Sequence, residues 1–270
     1  MPNSQNQLNI PFSKENSFAD CLRQAKFSII IETDAPASRQ PFDSAIANNL
    51  NIARKSRQHD MVAAIAVNDR LHTEESYDPA PIAGQLGDAS GKPVLMHLSG
   101  KGTGKDRLNG QLAEAFSGGI QNFLAVTGDK SDKHPAPHGL QRKPVYTPGY
   151  MDSVEIIRHI HNSDYSCFVG AGVNPYKYNA ADQYLQYFKM MRKIASGADF
   201  ITTHIGWDMK KLQELQWFMQ MRECDTPVIA RLALLSGEKV RSNAENPFPG
   251  VHLSRPFAAM LERECNVNET

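Results

Sequence analysis

The chain has 270 residues, with 29 basic side chains against 29 acidic ones, and only four cysteines. Balanced charge, with no run of Lys or Arg interleaved with aromatics, argues against a polynucleotide partner. Cys21, Cys167, Cys224 and Cys265 form no Cys-x-x-Cys pair, which argues against a thiolate metal site and a disulfide framework and leaves four reduced thiols, Cys167 in the core.

The opening seventeen residues, MPNSQNQLNIPFSKENS, are polar and lack the basic-then-apolar order of a signal peptide. No apolar stretch approaches membrane-spanning length, so the expectation is a cytoplasmic protein. Residues 1–26 read as an N-terminal extension. Phe27-Ser-Ile-Ile-Ile-Glu32 is a β-branched strand ending at an acid, and Pro36 forbids its continuation. Residues 42–56 carry Ile46, Ala47, Leu50 and Ala53 at helical spacing, and 61–67 form an apolar strand leading into Asn68 and Asp69.

A helix near Ile82 to Leu86 precedes a third strand over 93–98, which opens into Ser99-Gly-Lys-Gly-Thr-Gly-Lys105. That loop offers amides beside lysines, but Asp106 stands where a phosphate-binding loop needs Ser or Thr, so it reads as a generic mobile loop. A helix over 108–117 ends at Gly118-Gly119, and the fourth strand, Asn122-Phe-Leu-Ala-Val, delivers Thr127, Gly128 and Asp129. The stretch 130–150, rich in Pro, His, Gly and Lys, is far longer than an ordinary strand-to-helix connection and reads as a lid or binding loop.

Asp152-Ser153 predicts the start of a helix running to His161. A fifth strand over 166–173 ends in Asn174-Pro175. Residues 180–196 form the strongest amphipathic helix, stopped by Gly197. The sixth strand covers 200–204, a helix 209–224, the seventh strand 227–235, and a last helix 257–264, with no eighth apolar strand. Strands alternating with helices, each strand ending in polar residues, predict an α/β fold: a single TIM-type (β/α) barrel over 27–270, incomplete, with seven recognisable parallel strands. Two open edges predict a substitute cover or association with another chain.

The rim supplies the candidate chemistry. Glu32 closes an apolar strand, where burial and nearby Asp34 would raise its pKa and suit it to act as a general acid; a plain strand-end carboxylate pairing with a lysine is the bland alternative. Asp129, freed by Gly128, can face a ligand's polar edge or simply shape a turn. His97 and His204 sit at strand ends, each able to give or take one hydrogen bond, and Trp207 can stack on a flat ring or fill a half-buried site. His97, Asp129 and His204 make a metal cluster on paper only, since no local ligand spacing marks one, and no metal is predicted.

Taken in order, Ile31-Glu-Thr-Asp-Ala-Pro36, Ala66-Val-Asn-Asp69, Met96-His-Leu98, Lys105-Asp-Arg107 with Asn109, Gly119 through Asp129, Phe168 through Pro175 and Lys193 through Thr203 resemble the methylenetetrahydrofolate reductase family. The likeness covers about residues 27–235, and its fourth-strand, Asn-Pro and Gly-Ala-Asp-Phe segments are the most specific. It implies a barrel holding FAD that reduces methylenetetrahydrofolate to the methyl form; hydride taken directly from NAD(P)H without flavin is a separate reading. By the resemblance, Glu32 protonates the folate's bridging nitrogen and Asp129 lies near flavin and pterin. His97, Thr127, Asp129, Tyr150, Asn174 and Lys193 then contact the flavin, Lys193 at its diphosphate. Glu32, Asp129, His204 and Trp207 meet the substrate, with His204 standing where the family has a glutamine that reads the pterin. The family's strand-one motif also continues into aromatics and paired prolines, whereas this chain has Thr33, Asp34, Ala35 and Pro36. A non-catalytic or methyl-transferring folate-binding subunit working with a partner is the second reading. The electron donor would be NAD(P)H or a protein, and the assembly a homo-oligomer or a partnered subunit.

Overall fold

A computed structural model describes residues 16–24, 27–69, 76–100, 104–127, 151–245 and 250–268. Its centre is a seven-stranded sheet in simple sequence order, β1 (Ile29–Asp34), β2 (Val62–Asn68), β3 (Val94–Ser99), β4 (Asn122–Val126), β5 (Phe168–Val173), β6 (Phe200–Ile205) and β7 (Val228–Arg231). Every neighbouring pair is parallel. Helices α2 (Phe42–Ser56), α3 (Pro79–Ser90), α4 (Lys105–Ser117), α5 (Ser153–His161), α6 (Ala180–Ile194) and α7 (Met209–Gln220) follow the strands in turn. The fold is the α/β, TIM-like half-barrel that the alternation predicts. Among the described residues no helix is long and apolar enough to cross a membrane.

The period-two alternation of each strand sorts its side chains between two cores. Outward residues such as Ile65, Val67, Met96, Leu98, Phe123 and Ile201 meet Ile46, Ile82, Leu86, Leu112, Ile157 and Met190 of the helices. Inward residues Ala64, Ala66, Leu95, Leu124, Phe168 and Phe200 pack with one another. Gly170 belongs to this inner face, because a Cβ there would run into the Phe200 ring. Below the inner layer lies α1 (Ser17–Arg23), whose fully buried Phe18 meets Phe168 and Phe200 edge-on at centroid distances of 6.0 and 5.8 Å. Asn16 caps this helix through Ala19 N and donates to Asn122 of β4 at 2.8 Å, so the segment ahead of β1 forms the floor of the barrel.

Helix starts follow the sequence signals. Asp152 and Glu155 form a reciprocal capping box on α5, Asn179 caps α6 and Asp208 caps α7. The ends differ more. α6 stops at Ile194 and α7 at Gln220, short of the predicted 196 and 224, because the last turns tighten out of α-helical bonding. β7 spans four residues where the apolar run predicts nine. It pairs only with β6, and beyond Arg231 the chain turns away, leaving Leu232 67% and Leu234 91% exposed. The chain continues into α8 (Gly237–Glu245) and α9 (Arg255–Asn268). Among the described residues no eighth strand appears, and β1 and β7 each keep one unpaired edge. Cys21, Cys167 and Cys224 are unbridged and half-buried, Cys167 at the margin of the outer core; the Cys265 side chain lies outside the described residues.

Candidate functional site

Strand register decides which residues share the rim. Glu32 pairs with Ala66 and Asp34 with Asn68, so Glu32, Asp34 and Asn68 lie on the inward face with Ala64 and Ala66. On β3, His97 follows inward Leu95 by two residues. On β5, Gly172 follows Gly170, and on β6, Thr202 follows Phe200. Ile229 belongs to the inner core, which sets Arg231 two residues later on the same face. The lower barrel is therefore packed with aromatic and aliphatic groups, and its upper layer is polar.

These polar groups form one network. The Asn68 amide donates to Glu32 Oε1 at 2.6 Å and to Asp34 Oδ1 at 2.9 Å. The Arg231 guanidinium donates to the same Glu32 oxygen across the gap between β7 and β1. Arg231 is itself held at a register shift between β6 and β7, where its N–H donates to Thr203 Oγ1 at 3.0 Å. His97 sits beside the pair, only 5% exposed. Two buried oxygens at this level, Asn68 Oδ1 and Thr202 Oγ1, lack a hydrogen-bond partner among the described residues, and a Cβ on Gly172 would meet nothing within 4 Å.

The electrostatics reverse one sequence expectation. Burial is the largest influence on Glu32 and would raise its pKa, but the charges of His97 and Arg231, and hydrogen bonds from Arg231 and Asn68, outweigh it and hold the carboxyl below its ordinary value. Burial likewise pushes His97 down, to about 4, against the pull of Glu32, so near neutrality its imidazole is uncharged. Near neutrality Arg231 is then the charge that acts on Glu32, and His97 adds its own pull only as it gains a proton at acid pH. The sequence reading counted burial and Asp34 but not a guanidinium 199 residues away. The signal was present, as a single charged residue inside the apolar run 227–235.

The other predicted residues fall into separate groups. Asn174 donates to Gly250 O at 3.2 Å and accepts from Tyr176 N at 3.0 Å. His204 lies against the same glycine, whose φ of +74° suits the close approach, so Gly250, ahead of α9, sits on the β5–β6 side of the rim. Lys193 reaches from α6 to donate to Gly172 O at 2.6 Å, and burial beside Lys189 lowers its pKa to about 8. Thr127 is engaged with the start of α5, donating to Ser153 Oγ at 3.2 Å and accepting from Ser153 N. Trp207 is half-buried, its Nε1 donating to Ala233 O at 3.3 Å and its ring tilted against Phe257. Asp129 and Tyr150 lie outside the described residues, as do Lys101 to Thr103 and the stretch 130–150. The structure thus brings Glu32 and His97 together with Asn68 and Arg231, and sets Asn174 beside His204.

Comparison with known proteins matches the model of the methylenetetrahydrofolate reductase family over residues 18–245. A search of curated proteins finds no match. Among solved structures, the chain resembles an uncharacterized protein from Clostridium thermocellum that binds two copies of 5-methyl-5,6,7,8-tetrahydrofolic acid. The TM-score is 0.67 at 10% identity, covering 93% of this chain and 86% of that one. It also resembles 2,3-dimethylmalate lyase, a member of the PEP mutase/isocitrate lyase superfamily, with a TM-score of 0.52 at 11% identity, covering 94% of this chain and 95% of that one. At such identities the structural likenesses establish the barrel fold alone. The family match spans most of the chain, and this protein belongs to the methylenetetrahydrofolate reductase family.

Proposed function

We propose that this chain is a flavin-dependent oxidoreductase that binds a reduced folate at the C-terminal rim of the barrel and reduces its methylene group to methyl. The observation that carries the reading is the joining of Glu32, Asn68, His97 and Arg231 at one rim in a chain of this family. The C. thermocellum protein's bound methyltetrahydrofolate supports a folate for a barrel of this shape.

The residues present fit an FAD. Space above Gly172 and the hydroxyl of Thr202, open and unpartnered among the described residues, with the ammonium of Lys193 at one side, suit a flat polar ring with an anionic tail. His97, Asn174 and Lys193 would hold it together with Thr127, Asp129 and Tyr150, and when bound it would supply the hydride. His97, neutral near pH 7, offers one donor and one acceptor without adding charge. Glu32 would carry the proton to the folate's bridging nitrogen, Asp129 would stand by the pterin, and His204 and Trp207 would border the substrate. NAD(P)H or a protein is the electron donor, and direct use of NAD(P)H without flavin is a variant of the same reading. We place the protein in the cytoplasm and expect it to associate with a second copy or a partner, given the apolar side chains Phe27, Leu232 and Leu234 exposed around the two edge strands.

The second reading, a folate-binding subunit without reductase activity, draws on the ion pair that keeps Glu32 deprotonated. One experiment separates the two. Purified protein is reconstituted with FAD, scanned for a retained flavin spectrum, reduced, and given methylenetetrahydrofolate. Retention and reoxidation of the flavin support the reductase. Protein that binds folate but neither keeps flavin nor turns over, with flavin or with NAD(P)H, leaves the subunit reading standing.

A further inference from the structure

An acid that must give a proton to a folate nitrogen is found ion-paired as a carboxylate, and its partner cannot release it by titration, because a guanidinium stays charged at any working pH. Release has to be geometric. Among the described residues, the groups facing Glu32 are Asp34 on its own strand, Asn68 of β2, His97 of β3 and Arg231 of β7. Three of these strands are tied side by side by backbone hydrogen bonds. Among these four groups Arg231 approaches from across the open edge, held to β1 by its side chain, and it is 23% exposed, so it can swing toward the mouth without disturbing a sheet ladder.

We propose that Arg231 is a positioning residue that latches Glu32 in the free protein and is drawn off by the anionic folate, whose glutamyl carboxylates compete for the guanidinium. This rests on the folate-binding reading above. A carboxylate pairs with arginine at least as well through two parallel hydrogen bonds as Glu32 does through a shared oxygen. Once the guanidinium leaves and the folate covers the rim, Glu32, exposed in the free protein, is shut off from water beside the Asp34 carboxylate, with a neutral imidazole and an amide as its other neighbours. Desolvation then governs, and Glu32 takes one proton from solvent, forming the O–H bond that it later gives up to the bridging nitrogen. Folate binding is thereby linked to proton uptake.

Calorimetry of 5-methyltetrahydrofolate binding near neutral pH, in buffers of different ionisation enthalpy, reads this directly. The full-length protein is expected to take up about one proton per folate bound, and Glu32→Gln none. Arg231→Lys, whose compact charge cannot pair with a carboxylate through two parallel hydrogen bonds, is expected to keep only part of the uptake. In a Glu32→Gln background, adding Arg231→Gln should weaken folate binding roughly tenfold or more, the loss of a charge-assisted contact to the ligand. Binding with no Glu32-dependent uptake overturns the latch and leaves the folate reading intact, and so does unchanged affinity in the double variant. Absence of any binding overturns both. The comparison of wild type with Glu32→Gln decides the matter even if the Arg231 variants fail to fold.

Discussion

Acid should destabilise this protein through one buried imidazole, and the effect can be sized. The His97 pKa falls from 6.5 in an open chain to about 4 in the fold, because burial disfavours its cation more than Glu32 favours it. Between those values the unfolded chain binds a proton that the folded chain does not, so stability rises with pH across that window and falls as pH drops from 6.5 toward 4. A gap of about two and a half units at 1.36 kcal/mol per unit amounts to about 3 kcal/mol, of which about 2 kcal/mol is gone by roughly pH 5. Glu32 adds to acid sensitivity in the same direction, but its depressed pKa contributes stability that is lost only below its ordinary 4.5. Asp69 and Asp199, whose raised pKa values act in the opposite sense, are common to wild type and His97→Gln. Urea unfolding of both proteins at about pH 7, 6 and 5 therefore isolates the histidine, and at an m-value of roughly 3 kcal/mol/M its contribution should lower the wild-type midpoint by somewhat under 1 M. In His97→Gln, which keeps a polar side chain without the titration, that fall should be absent. An equal slope in both proteins would show that His97 is not buried as an uncharged group, and would remove the argument that Arg231 is the cation acting on Glu32.

Other perturbations test the frame around the site. Phe18→Ala empties the barrel floor under Phe168 and Phe200 and should cost about 3–5 kcal/mol in urea unfolding; a loss below about 1 kcal/mol would mean that α1 is not part of the core. Gly170→Ala places a methyl against the Phe200 ring and should cost roughly 1–3 kcal/mol, recovered in part by Phe200→Leu, whereas a neutral single variant would contradict the inner-face packing. Glu32→Gln should keep bound flavin while methylenetetrahydrofolate reduction falls about 10²–10⁴-fold, and retained turnover would take Glu32 out of the mechanism.

The strands were legible because a buried parallel strand reads as a continuous apolar run, and six of the runs become strands close to where the pattern puts them. The seventh shows the limit. Hydrophobicity marks 227–235 as strand, but only residues with a ladder partner stay in one, and β7 has a neighbour on one side alone. Caps were legible for a local reason: Asp152 sits directly before the turn whose amides it satisfies. The floor helix was not, since Ser17–Arg23 is too short to show a period and its single anchor, Phe18, gains meaning only from Phe168 and Phe200 far along the chain. The same separation hid the charge state of Glu32. Desolvation can be read from an apolar run, whereas the sign of a pKa shift depends on which charges the fold brings across space.

That dependence ties the missing strand to the chemistry. In a fully closed barrel every rim residue has a hydrogen-bonded strand on both sides, and moving one side chain relative to the next means straining a ladder. Here the seam between β7 and β1 has no ladder, and at the rim a side-chain ion pair bridges it. The bulge that sets Arg231 opposite Ile205, and the Thr203 hydroxyl that takes its N–H, fix the backbone on one side of the seam, so the guanidinium can move while its Cα stays in place. Glu32 stands on the other side, bonded through Asn68 to the rest of the rim. The open edge that would be a liability in a static scaffold thus falls beside the one acid whose protonation has to change during the proposed reaction. A chain that regained an eighth strand between β7 and β1 would cover the exposed apolar edges, but it would also separate Arg231 from Glu32 and leave the carboxyl without the group that sets its charge.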